Sequence, residues 1–165
     1  MADSAFQTAV QFVLDAEGPA SNLPGDSGGP TKWGISSRLY PQVLDPRFSR
    51  DDAVAIYWRD YYLHCRCDQM PACIALLVLN SAVNQGQETA IRILQRSLGV
   101  KEDGIVGAAT MKALSRVSAT SLMKEFAAQQ LLQYSCERQF AEFGLGWIRR
   151  TLSAQVAALP TTAVH

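Results

Sequence analysis

Glu17 is the residue whose type and setting most plainly invite chemistry. It follows a helical run and precedes Gly18-Pro19, so it stands at a helix end. The last carbonyls of a helix carry partial negative charge, which disfavours a carboxylate and keeps a proton on the side chain. A carboxylic acid still protonated near neutral pH can protonate a glycosidic oxygen. An exposed helix-end glutamate with no role has the same sequence. Asp26 lies nine residues on, inside a glycine-rich turn. Two carboxylates flanking a sugar bond are the usual equipment of glycoside hydrolysis, although Asp is also a common turn residue. Thr31 offers a hydroxyl that can hold a water, or simply a β-branched strand position. Gly28 and Gly29 let the backbone turn tightly or approach a substrate.

The elements that would hold these residues follow from periodicity. Phe6, Val10, Val13 and Leu14 fall on one face of a helix over 4–16, and Gly18-Pro19 stops it. From Gly18 to Gly34 there are five glycines and three prolines, which excludes a helix and predicts turns or a short hairpin or ribbon. Ser49-Arg50-Asp51-Asp52 resembles a capping box ahead of an aromatic-rich helix over 53–63. Pro71 can open a buried helix ending near Gly86. Further helices are expected over 88–98, closed by Gly99, and over 108–114, with a loop at 101–107 between them. A long helix over 120–143, with Leu122, Phe126, Leu132 and Phe140 among its apolar positions, is expected to break at Gly144 and Gly146. A last helix over 145–158 and a frayed tail from Pro160 complete the chain. The fold class is mainly α, with one small irregular or β-ribbon insert at the candidate catalytic loop.

Composition limits the options. The 165 residues carry 48% hydrophobic and 18% charged side chains, an ordinary globular balance that argues against disorder. Net charge is zero but uneven. Residues 1–86 hold nine acids and six bases, a net of −3, and residues 87–165 hold six acids and nine bases, a net of +3. A mildly basic second half suits docking on an anionic polymer and is too weak to imply nucleic acid. The cysteines are Cys65, Cys67, Cys73 and Cys136, and Cys-x-Cys is a poor match to zinc spacing. No metal or organic cofactor is implied, and reduced thiols fit a cytosolic origin. No segment approaches the ~20 apolar residues of a membrane span, and the N-terminus has no signal-peptide pattern. The protein is therefore expected to be made in the cytoplasm, and a wall-directed activity would need a holin or similar exit to the periplasm.

Glu17-Gly18, followed by Asp26-Ser27-Gly28-Gly29-Pro30-Thr31-Lys32-Trp33-Gly34-Ile35-Ser36, resembles the signature of glycoside hydrolase family 108. Eight residues separate Glu from Asp and four separate Asp from Thr, as in that family's pattern. Tyr57, Tyr61 and Tyr62 resemble its Tyr-rich helix. Asn80-Ser81-Ala82-Val83-Asn84-Gln85-Gly86 resembles its Asp-x-Ala-Val-Asn-x-Gly segment, with Asn80 in place of Asp. Leu94-Gln95, Asp103-Gly104-Ile105-Val106-Gly107 and Thr110 resemble the peptidoglycan-binding-type module that commonly follows, and Gly146-Trp147-Ile148-Arg149-Arg150 resembles a closing Gly-Trp-x-x-Arg. Pro19, Ala20 and Ser27 also depart from the pattern.

The resemblance implies a lysozyme-like fold, with a catalytic domain over 1–96 and a helical peptidoglycan-binding-like module over 97–165 packed against it. It implies an endolysin-type muramidase cleaving the β-1,4 bond between N-acetylmuramic acid and N-acetylglucosamine. Glu17 would be the general acid, Asp26 the second carboxylate, and Thr31 an aid to the water. Trp33 would be a sugar platform or a loop anchor. Asn84 and Gln85 would bond N-acetyl groups or cap their helix. Tyr57 and Tyr61 would contact substrate or fill the core, and Trp147 would pack in the core. The implied partner is the peptidoglycan glycan strand, met by a monomer. A lytic transglycosylase, a toxin-secretion muramidase and a non-catalytic wall-binding protein are the rival readings.

Overall fold

A computed structural model of the chain describes residues 3–18, 20–21 and 30–159. Asp26, with Ser27, Gly28 and Gly29, and the tail from Pro160 lie outside the described residues. The first helix, α1, is Ser4–Glu17. The Asp3 side chain caps it by accepting from the Ala5 N–H. It buries Phe6, Ala9, Val10, Val13 and Leu14, the expected face. Gly18 closes it at φ 72°, where its N–H still reaches the Leu14 carbonyl.

A small antiparallel sheet follows, in the order β1 (Ala20–Ser21), β2 (Thr31–Lys32), β3 (Ile35–Ser36). Thr31 faces Ser36 and Lys32 faces Ile35, which leaves Trp33-Gly34 as a two-residue hairpin turn. Both turn residues have positive φ, 55° and 77°. That matches the right-handed strand twist, but a bulky Trp in the left-handed region costs about 1–2 kcal/mol.

The second helix, α2, is Arg50–Ile56, and Ser49 caps it through a reciprocal box with Asp52. Here the expected helix over 53–63 changes character. Residues Tyr57–Tyr62 wind as a π turn, with the Leu63 N–H reaching back five residues to the Trp58 carbonyl. The wider turn sends rings to separate contacts. Trp58 and Tyr62 stack at 5.4 Å and both meet Phe6, while Tyr57 meets Tyr61 edge-on. Such turns recur at functional sites.

The central helix, α3, is Ala72–Gln85, with Pro71 at its N-cap and Gly86 at its C-cap. Nine consecutive residues, Ile74 to Ala82, are buried, as expected of a helix packed on all sides. Around it lie α1, α4 (Gln87–Ser97), α6 (Ala119–Ser135) and α7 (Phe140–Ala158). The short α5 (Ala108–Leu114) follows the 101–107 loop. One hydrophobic cluster runs from Phe6 in α1 to Ala158 in α7. The buried amide of Gln95 organises the loop. It donates to Asp103, the Ile105 carbonyl and Thr110, and accepts from the Gly104 N–H.

The expected break at Gly144 and Gly146 is a correction. Both glycines lie inside α7, and the break falls at 136–139. A Cβ on Gly144 would stand 2.7 Å from the Phe140 ring, so glycine here makes room for an aromatic side chain on the preceding turn. Leu132, expected among the apolar positions of that helix, lies on the exposed face of α6. No helix among the described residues is long and apolar enough to cross a membrane.

Cys65 and Cys67 are buried, Cys73 is half-buried and Cys136 is exposed, all as free thiols. A hydrogen bond with Cys65, and then burial, push the Cys67 thiol well above its ordinary value. Among the described residues no group of three or more His, Cys, Asp or Glu side chains could hold a metal ion. Two outcomes are expected. Phe126→Ala, which empties a fully buried site in α6, should cost about 3–5 kcal/mol in urea unfolding. In a native-state thiol titration Cys136 should react promptly and Cys67 only after unfolding, and fast labelling of Cys67 would contradict this packing.

Candidate active site

Glu17 ends α1, as its sequence setting predicts, but it is not left alone with the helix carbonyls. Arg150, 133 positions later in α7, donates from Nη1 to Glu17 Oε1 at 2.6 Å. The same guanidinium donates from Nε to Asn80 Oδ1 at 2.8 Å. The two side chains of the ion pair are 16% (Arg150) and 23% (Glu17) exposed, so water screens the pair only in part. The local field at Glu17 therefore has two opposed sources. The helix end disfavours negative charge, and the guanidinium favours it.

Asn80 lies almost fully buried in α3, and Arg150 supplies the hydrogen bond that its amide oxygen needs. The third nitrogen of Arg150, Nη2, is buried and has no partner among the described residues. A buried donor left unpaired costs about 1–3 kcal/mol.

The hairpin turn covers the other side of the acid. A Cβ on Gly34 would stand 2.5 Å from Glu17 Cγ and 2.5 Å from Tyr57 Oη. Glycine is needed there both for φ 77° and for the close approach. Tyr57 donates its hydroxyl to the Trp33 carbonyl at 2.9 Å and so ties the π turn to the hairpin. Burial, and then the nearby charge of Glu17, push the Tyr57 hydroxyl far above its ordinary value, so it remains a donor. Tyr61 is raised by burial, then by Asp60 and Glu17.

The candidate residues thus separate into groups. Glu17, Trp33, Gly34 and Tyr57 meet directly, and Thr31 belongs to the strand leading into that turn. Tyr57 is a correction as a substrate contact. It has no exposed surface, so it supports the site from beneath. Tyr61 is partly buried against the core, as is Trp33. Asn84 and Gln85 line a different hollow of about 260 Å³, across from Tyr134, Glu137 and Trp147. Trp147 is not a core residue; it stacks on Tyr134 at 5.0 Å and faces this hollow. Asn84 donates to the Tyr134 hydroxyl, and Gln85 accepts from Ser81 and Gln130. Burial raises the Tyr134 hydroxyl, while its hydrogen bond with Asn84 and the charge of Arg150 lower it. A larger depression of about 530 Å³ lies away from these groups, and Asp45 and Arg47 in its wall pair with each other.

The residue that sequence reading missed is Arg150. Its only signal was its place in Gly146-Trp147-Ile148-Arg149-Arg150, which carries no hint of Glu17.

A helical scaffold holding a carboxylic acid at a helix end, under a glycine-bearing hairpin, has the build of a lysozyme-like glycoside hydrolase. The glycosyl hydrolase 108 family model matches residues 10–86, and the predicted peptidoglycan domain matches residues 89–152. Residues 10–86 thus carry a glycosyl hydrolase 108 match with a peptidoglycan domain behind it, and the two together support a hydrolase of peptidoglycan. The structure of SagA from Brucella abortus is similar, with a TM-score of 0.84 and 28% sequence identity over 93% of this chain and 92% of that one. None of the curated proteins matches the chain in sequence.

Gly34→Ala should crowd Glu17 and Tyr57 and strain the turn. Stability should fall by about 1–3 kcal/mol, and wall-lytic activity of the folded fraction should fall by ~10-fold or more because the acid is displaced. Wild-type lysis rates in a folded Gly34→Ala protein would show that the hairpin does not set Glu17.

Proposed function

We propose that the chain is an N-acetylmuramidase that hydrolyses the β-1,4 bond between N-acetylmuramic acid and N-acetylglucosamine, with Glu17 as general acid. The observation that carries this reading is the position of Glu17, partly exposed yet fixed by Arg150 and by the hairpin turn. In the reaction the Glu17 proton passes to the glycosidic oxygen as the bond from that oxygen to C1 breaks. The bonding pair stays with the leaving oxygen, water supplies hydroxide to C1, and the proton that water gives up is returned to Glu17, which restores the acid.

On this reading Asp26 is the second carboxylate and Thr31 helps hold the water, as the family resemblance implies. The hollow lined by Asn84, Gln85, Tyr134 and Trp147 has the volume and the mixed amide and aromatic wall that a hexosamine ring needs. Residues 1–96 then act as the catalytic part and 97–165 as the wall-docking part. The enzyme meets its substrate in the periplasm, where a phage-type lysis enzyme would be delivered by a holin or similar pore. A lytic transglycosylase needs only the acid and leaves an anhydro product one water lighter.

The test is turbidity loss of outer-membrane-stripped Gram-negative cells with wild type and Glu17→Gln, with mass spectrometry of the released muropeptides. Lysis should fall by ~10²-fold or more in the amide variant, while wall pelleting persists. Products carrying the added water support hydrolysis, and anhydro products move the assignment to a transglycosylase. Equal lysis by both proteins removes Glu17 from the mechanism.

A further inference from the structure

We propose that Arg150 is a positioning residue of the active site, so that the segment matched as a peptidoglycan domain completes the catalytic centre of the segment matched as a glycosyl hydrolase. This rests on the reading of Glu17 as the acid. Matches to 10–86 and 89–152 suggest a cutting part followed by a holding part. The ion pair crosses that division. Glu17 comes from the first segment, and the guanidinium 2.6 Å from it comes from the last helix of the second.

The chemistry of the step gives the contact a purpose. A general acid begins neutral and ends as a carboxylate, so negative charge grows on Glu17 as its proton leaves. A cation already in place at Oε1 stabilises that growing charge without reorganising, the arrangement that makes electrostatic assistance effective. Arg150 is held ready by three circumstances. Its Nε is anchored to buried Asn80, its side chain is mostly sequestered from water, and α7 packs on both α3 and α1. Its planar fork grips Asn80 and Glu17 through two separate nitrogens, a spread that the single nitrogen of a lysine does not reproduce.

A purely structural tie between α7 and α1 would use the same contacts but give different kinetics. The measurement is kcat and KM on solubilised glycan strands for wild type, Arg150→Met, Arg150→Lys, Glu17→Gln and the double variant, with wall pelleting and thermal melting alongside. Arg150→Met should lose ~10²-fold in kcat, with KM and pelleting within about twofold of wild type. Arg150→Lys keeps the charge but not the fork and should fall between. In the Glu17→Gln background the Arg150 change should add little, since no charge then develops on residue 17. If Arg150→Met does not fold, Arg150→Gln, which keeps an amide donor for Asn80 but carries no charge, reads the same quantity. The proposal is overturned if the folded neutral variant retains wild-type kcat, or if its loss lies wholly in KM and pelleting. An inactive Glu17→Gln beside a fully active Arg150→Met sinks this inference alone, whereas a fully active Glu17→Gln sinks the reading of the site.

Discussion

The structure turns on one guanidinium with two acceptors, one buried and one partly exposed. Arg150 satisfies the amide oxygen of Asn80 in the central helix and a carboxyl oxygen of Glu17 at the end of the first. Burying a charge is costly unless it is paired and hydrogen-bonded, so α7 can dock only where both partners await it. That requirement fixes the last helix against α3 and aligns it with α1. The hydrophobic cluster supplies most of the stabilisation, but apolar contact alone tolerates sliding. A forked charge with two fixed acceptors does not.

On the opposite side the acid is confined by steric means. Gly34 is the only residue type that admits the hairpin so close to Glu17 and Tyr57, and the Tyr57 hydroxyl fastens that hairpin by the Trp33 carbonyl. Trp33 accepts an unfavourable backbone conformation to make the turn. The π turn then places Tyr57 beneath the site and Trp58 and Tyr62 against Phe6. Glu17 is thus held between a cation contributed from the far end of the chain and a strained turn contributed from nearby. Neither constraint is large alone, and together they leave the carboxyl little freedom.

Local patterns in the sequence revealed much of this. The face of α1, the capping box at Ser49 and the buried run of α3 were legible because periodicity and caps act over a few residues. Of the glycine- and proline-rich stretch, the described end at Trp33-Gly34 makes a turn, and Glu17 stood out from its helix-end place. The α6–α7 boundary was misread because Gly144 looks like a breaker, whereas its missing Cβ serves the Phe140 ring. The π turn was hidden because a one-residue widening leaves the apolar spacing almost unchanged. Trp147 read as core because sequence cannot tell a buried indole from one lying along a hollow. Arg150 was invisible as a site residue, since nothing local ties a helix arginine to an acid more than a hundred residues away.

The length of that loop has a consequence for how the enzyme comes into being. Synthesis runs from the N-terminus, and domains begin folding as they emerge. Contacts between residues far apart in sequence carry the largest closure cost and tend to arrive late. The link from residue 150 back to residue 17 spans nearly the entire polypeptide. A nascent chain can therefore display its acid long before it can acquire the cation that orders it. Assembly of the centre is the close of folding rather than its start, and a truncated translation product carries the acid without its keeper.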